Sequence, residues 1–295
     1  MEKMLEILSK QNELQSNLNG IKETIDKRLE AEIRVQMDAR QTDAIKFFSK
    51  VNPRLHFRTS LQLRQPMTGL WLVDGEHFLA WKSTPNSKLW LTGIPGAGKT
   101  VLCGAAIESI LQDSKESIAV AYFFCDYKNQ ESQRAEVIFG SLATQIALQS
   151  PHAMGYLQEY YDELNPKGEF GRQAEVEELI SIIQHMAGHF EKVYIVVDAL
   201  DECGHEAWST ADALKTLAEG TYTINMALFS REEEDIRDSL ADDFSRIEIA
   251  AQTGDLELYV RAKMSRKKNL KELYVRNPQL NREIRNHLIR GAKGM

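Results

Sequence analysis

Residues 88 to 111 read, in order, as a short apolar run (KLWLT), a glycine-rich octet (GIPGAGKT) and a helix-forming stretch (VLCGAAIESIL). Nothing else in the chain narrows its fold as much. The octet Gly93, Ile94, Pro95, Gly96, Ala97, Gly98, Lys99 and Thr100 satisfies G-x-x-x-x-G-K-[ST] in full, and strand, loop, helix is the order that this phosphate-cradling pattern requires. Gly96 and Gly98 allow backbone N–H groups to turn inward around a phosphate, and the helix N-terminus adds partial positive charge. Lys99 is placed to reach β- and γ-phosphates, and the Thr100 hydroxyl to bind Mg²⁺.

A phosphate loop needs partners at the ends of other strands. Four more short runs rich in apolar, β-branched and aromatic residues alternate with helix-like sequence: 117–125, 192–198, 223–230 and 246–250. Near-continuous apolar strands separated by helices predict a parallel sheet covered on both faces. Val176, Leu179, Ile180, Ile183, Met186 and Phe190 fall on one helical face, in keeping with that layering. In a parallel sheet, strand ends that carry ligand chemistry share the carboxyl edge. Asp198 closes VYIVV and is predicted to hold Mg²⁺ opposite Thr100. Asp201 and Glu202 follow at once, Glu202 to handle the attacking water and Asp201 to support it. Arg231 follows the strand ending in Ser230 and brings a guanidinium to the same edge, near a γ-phosphate.

The remaining composition bounds the setting. With 295 residues and 43% hydrophobic content the chain can bury a large core, and its net charge of −7 leaves no general footprint for a polyanion. The cluster Arg261, Lys263, Arg266, Lys267, Lys268 and Lys271 is read as a solvated helix face, so no nucleic-acid partner is expected. Three cysteines without CxxC spacing, no secretory leader and no apolar run long enough for a bilayer suggest a cytoplasmic protein with no membrane partner. His185, His189, Cys203 and His205 have metal-binding side chains. His185 and His189 precede the 192–198 strand and Cys203 and His205 follow it, ~20 Å apart at ~3.3 Å per residue, so they cannot share an ion.

These residues together resemble the NACHT class of signal-transducing NTPases, close to nephrocystin-like N-terminal nucleotide-binding regions and common in fungal NLR-like proteins. The resemblance covers roughly 45 to 295. It rests on MTGLWLVDGEHFLAW, LWLTGIPGAGKTVL, AYFFCDY, VVDALDEC, LFSREEEDIR and LIRGAKGM. It implies a three-layer α/β P-loop fold with a mainly parallel five-stranded sheet, in which the strand before Arg231 lies between the phosphate-loop strand and the Asp198 strand. It places Thr68 and Gly69 near the nucleotide base. Members act as ATP-driven switches that hold ADP at rest and form homo-oligomers when ATP replaces it, in contact with effector or sensor proteins. The expected cofactors are ATP or ADP and Mg²⁺.

The expected domains are a helical, possible coiled-coil segment over 1–50, a lead-in over 51–86, the NTPase core over 87–252 and a partial helical subdomain over 253–295. Met4, Ile7, Gln11, Leu14, Leu18, Ile21 and Ile25 form a heptad-like seam that fits self-association or docking on the chain's own core. The chain ends without a cap, as if cut from something longer, and the family's winged-helix module and repeats are expected beyond Met295. Residues 1–50 are short for an effector domain. Two rival readings stand beside the ATPase: a nucleotide-gated scaffold without turnover, and a small-molecule kinase. The acid pair argues for water rather than a small-molecule acceptor. The lack of N-K-x-D favours adenine over guanine.

Overall fold

The computed structural model describes residues 39–166, 170–249, 253–269 and 277–291. The heptad-like seam lies outside them. Residues 1–46 and 47–295 form two compact units. The described part of the first belongs to helix α1 (Ala39–Phe48).

In the second unit, the 51–86 lead-in is largely helical, with α2 (Pro53–Leu63), α3 (Leu70–Val73) and α4 (Glu76–Ser83). Pro53 is the first residue of α2, where a missing N–H costs nothing. The Asn52 side chain caps that end by accepting from the Arg54 N–H at 3.1 Å. The core alternates strands and helices: β1 (Lys88–Thr92), α5 (Lys99–Asp113), β2 (Ile118–Phe124), α6 (Ala135–Ala147), α7 (Pro151–Leu164), α8 (Val176–Ala187), β3 (Lys192–Asp198), α9 (Ala207–Glu219), β4 (Ile224–Ser230), α10 (Glu234–Leu240) and β5 (Ser245–Glu248). Helices α11 (Thr253–Asn269) and α12 (Pro278–Gly291) follow.

All strand pairs are parallel, in the order β2-β3-β4-β1-β5. The strand before Arg231 thus lies between the phosphate-loop strand and the Asp198 strand. Leu89, Leu91, Val120, Tyr122, Phe124, Tyr194, Val196, Ala227 and Phe229 share one apolar cluster with Leu102, Ala106, Ile107 and Ile110 of α5. Alternate residues of the same strands face the opposite way. There, α6 and α9 pack against β2 and β4, and α8 packs against both helices. The result is the three-layer α/β arrangement.

As the outermost strand on its side, β2 has an open backbone edge, which two side chains of α6 and the residues after it close. Gln145 accepts from the Tyr122 N–H at 3.2 Å and donates to the Tyr122 carbonyl at 2.8 Å. Gln149 does the same to Val120, at 3.0 and 2.9 Å. Spaced one helical turn apart, the two glutamines match every second residue of the strand.

Candidate nucleotide site

The loop between β1 and α5 turns sharply, with Gly96 at φ +81° and Gly98 at φ +90°, values that L side chains rarely adopt. The Ala97 N–H donates to the Ile94 carbonyl at 3.2 Å, closing the turn. Gly98 precedes α5 without any side-chain cap, so the first N–H groups of that helix are left to bind an anion. Lys99 folds back over the loop and donates from Nζ to the Gly93 carbonyl at 2.7 Å and the Ile94 carbonyl at 3.2 Å. Burial lowers its ammonium pKa, while Asp201 and Asp198 pull it back up.

Asp198 ends β3 almost completely buried, 1% exposed. Thr100 lies beside its carboxyl group and favours the charged form, but burial is the larger effect and raises its pKa to about 7. Its Oδ1 has no hydrogen-bond partner among the described residues. A buried, unsatisfied carboxylate oxygen beside a phosphate-loop threonine is what a hydrated Mg²⁺ would satisfy. The donor set fits the ion.

The chain then leaves β3 through Ala199, a non-glycine residue at φ +60°. This left-handed step is unfavourable for a residue with a Cβ, and the Glu202 N–H donates to the Ala199 carbonyl at 2.8 Å to close it. The turn aims its two acids in different directions. Asp201 goes to the end of β4, where its Oδ1 accepts from the Arg231 N–H at 2.9 Å and its Oδ2 pairs with Arg231 Nε at 3.1 Å. Glu202 goes to the end of β2, where its Oε2 accepts from the Tyr127 N–H at 3.0 Å. Arg231 therefore stands on the expected edge with its guanidinium engaged by Asp201.

Several neighbours carried no signal in the sequence. Trp90 Nε1 donates to Ser230 Oγ at 2.8 Å, and that hydroxyl donates to the Arg231 carbonyl at 2.8 Å, which braces the segment carrying Arg231. Arg246 on β5 donates from Nε to Thr92 Oγ1 at 3.2 Å and grips Glu232 with both terminal nitrogens. Cys203 and Cys125, 78 residues apart in sequence, lie with sulfurs 3.2 Å apart beneath the Glu202 turn. Both are free thiols. Of these residues, Cys125 and Ser230 end apolar runs, which is the hint the sequence held of their place on the edge.

Thr68 and Gly69 are buried beside α5, against Leu102. His185 and His189 are separated from Cys203 and His205 by the full length of β3. Their rings pair with Tyr156, and His189 also stacks on His152. Among the described residues no group of three or more His, Cys, Asp or Glu side chains could hold a metal ion. Arg261 and Lys263 are exposed on α11; the side chains of residues 266–268 and Lys271 lie outside the described residues. No described helix is long and apolar enough to cross a membrane.

Residues 67–231, more than half of the chain, match the family described as Nephrocystin 3, N-terminal. Over 196 residues the chain is 24% identical to vegetative incompatibility protein HET-E-1 of Podospora anserina, an alignment covering 65% of this chain and 14% of that protein. Solved structures align more loosely. AMPPCP-bound DnaA from Aquifex aeolicus gives a TM-score of 0.40 at 15% identity, over 83% of this chain and 63% of that one. C. elegans PCH-2 gives 0.42 at 12%, over 75% and 53%. Likeness this loose bears on neither ligand nor partner.

Proposed function

The chain belongs to the nephrocystin 3 N-terminal family of NACHT-type P-loop NTPases, and from that premise we propose that it binds Mg²⁺·ATP, hydrolyses it slowly and couples nucleotide state to self-association. The observation that carries the reading is the buried, unsatisfied Asp198 Oδ1 beside Thr100. A buried carboxylate oxygen left unpaired calls for a partner, and a cation beside a phosphate-loop threonine supplies one.

In this reading, Thr100 and Asp198 hold Mg²⁺, which neutralises phosphate charge when bound. The loop from Gly93 to Gly98 and the first turn of α5 hold the phosphates. Lys99 exchanges the carbonyls of Gly93 and Ile94 for phosphate oxygens. Glu202, one oxygen fixed by the Tyr127 N–H, offers the other to a water and accepts its proton as the water attacks. Arg231 leaves Asp201 to meet charge on the transferred phosphoryl group, and Asp201 fixes where it waits. Thr68 and Gly69 border the base. Cytoplasmic location and contact with effector or sensor proteins belong to the same proposal.

The test is turnover by the purified chain with ATP and with GTP, combined with a measurement of molecular mass. Expected are multiple turnovers of ATP, lost in Glu202→Gln with binding retained, and no nucleotide-induced thermal shift in Lys99→Ala. An unchanged shift in Lys99→Ala would refute the site. Assembly that requires ATP but is indifferent to Glu202 would favour a nucleotide-gated scaffold, and a preference for GTP would overturn the base assignment.

A further inference from the structure

Two distant parts of the chain meet at the Thr68–Gly69 turn. The turn is left-handed on both sides of Thr68, with Met67 at φ +69° and Gly69 at φ +78°. It lies against the start of α5, where a methyl group built on Gly69 would come within 3.0 Å of Leu102 Cδ2 and 3.7 Å of Ala105 Cβ. Leu102 is three residues beyond Lys99, about 5 Å along the helix axis. A nucleotide with its phosphates on the loop would have its nucleoside within reach of this turn. Nothing in the phosphate loop itself reads a nucleoside.

The turn is held from two sides. Arg64 donates from Nε to the Thr68 carbonyl at 2.9 Å and from Nη1 to Glu108 Oε2 at 3.0 Å, tying it to α5. From the other side comes Asp255, 186 residues later in the chain and in the first turn of α11. Its Oδ2 accepts from the Gly69 N–H at 2.7 Å and from Trp71 Nε1 at 3.1 Å. An ionised acceptor serving two partly buried N–H donors makes bonds roughly twice as strong as neutral ones. It also spares the buried Gly69 N–H from being left unpaired.

We propose that Asp255 is a positioning residue for the nucleoside. Its carboxylate fixes the Thr68–Gly69 turn against α5 and joins that turn to the helix that follows the core. Binding of the base and ribose depends on it; binding of the phosphates does not. The inference rests on the nucleotide reading above and extends it to a residue outside the phosphate loop and the strand ends.

Titration calorimetry with two ligands, Mg²⁺·ATP and Mg²⁺·tripolyphosphate, separates the possibilities. In Asp255→Ala the affinity for ATP falls about tenfold, as expected for loss of a charge-assisted acceptor. The affinity for tripolyphosphate, which has no nucleoside, stays within about twofold. Asp255→Asn retains an acceptor oxygen and keeps ATP affinity within about threefold of the parent. If Asp255→Ala does not fold, Asp255→Glu, which displaces the acceptor by one methylene, carries the same expectation of weaker ATP and unchanged tripolyphosphate. Equal losses for both ligands, or unchanged ATP affinity in Asp255→Ala, overturn the proposal. An unsubstituted chain that binds tripolyphosphate but not ATP also overturns it, whereas one that binds neither overturns the nucleotide reading itself.

Discussion

Arg231 and Asp201 are joined twice, by the Arg231 N–H on Oδ1 at 2.9 Å and by Nε beside Oδ2 at 3.1 Å. The Asp201 side chain is 4% exposed and that of Arg231 47%. The acid is therefore the fixed member of the pair and the guanidinium the one free to move. A nucleoside triphosphate that takes the guanidinium must break only one of the two bonds. Asp201→Asn, which keeps an acceptor for the backbone N–H but loses the charge, should raise affinity for ATP relative to ADP. Calorimetry with both nucleotides checks this, and an unchanged ratio would exclude competition for Arg231. A double-mutant cycle with Arg231→Ala and Asp201→Ala should give a coupling of about 1–2 kcal/mol in chemical denaturation.

The pKa of Asp198 is raised from 3.8 to about 7, chiefly by burial. The folded chain therefore keeps a proton that the unfolded chain releases near pH 4. That contribution to stability is complete below the unfolded value and is lost as pH rises through about 7. The metal-free protein should melt at progressively lower temperature between about pH 4 and about pH 7, and Asp198→Asn should flatten the trend relative to the parent. Identical pH profiles for the two proteins would show that Asp198 is not the titrating group.

Gln145 and Gln149 close the open edge of β2. Replacing either with alanine removes two hydrogen bonds to strand backbone and should cost about 1–2 kcal/mol in urea denaturation. The double replacement exposes that edge to another chain's strand. Light scattering on mild warming should rise for the double variant before it rises for the parent.

All three cysteines are buried. Burial pushes the Cys103 thiol up, and the hydrogen bond shared with Cys203 together with burial pushes the Cys125 thiol well above its ordinary value. Since the thiolate is the reactive form, iodoacetamide at pH 8 should leave the native protein unmodified and add three groups after denaturation in urea. Mass spectrometry reads both states. Modification of any cysteine in the native protein would contradict this packing.

The strands were legible because each is a short apolar run with no competing period. KVYIVVD is β3 to the residue, and the 223–230 run overruns β4 by a single residue. The phosphate loop and Asp198 were legible for the same reason, since both are fixed by where a strand stops. Side-chain direction was not. Asp201 and Glu202 are neighbours in sequence, yet the left-handed step at Ala199 sends one to β4 and the other to β2. Asp255 left no trace at all, because its partners are a backbone N–H and an indole far away in the chain.

The placement of β1 between β4 and β5 has a consequence for how the protein is made. Trp90 on β1 bonds Ser230 on β4, 140 residues later, and the other neighbour, β5, is later still. Pairing across so long a stretch forms slowly and late. During synthesis the phosphate loop leaves the ribosome long before either strand that flanks β1 exists. A nascent chain stopped short of β4 would carry the whole glycine-rich octet with no sheet to brace it, and nucleotide could serve as a ligand for folding only after nearly the entire core had emerged.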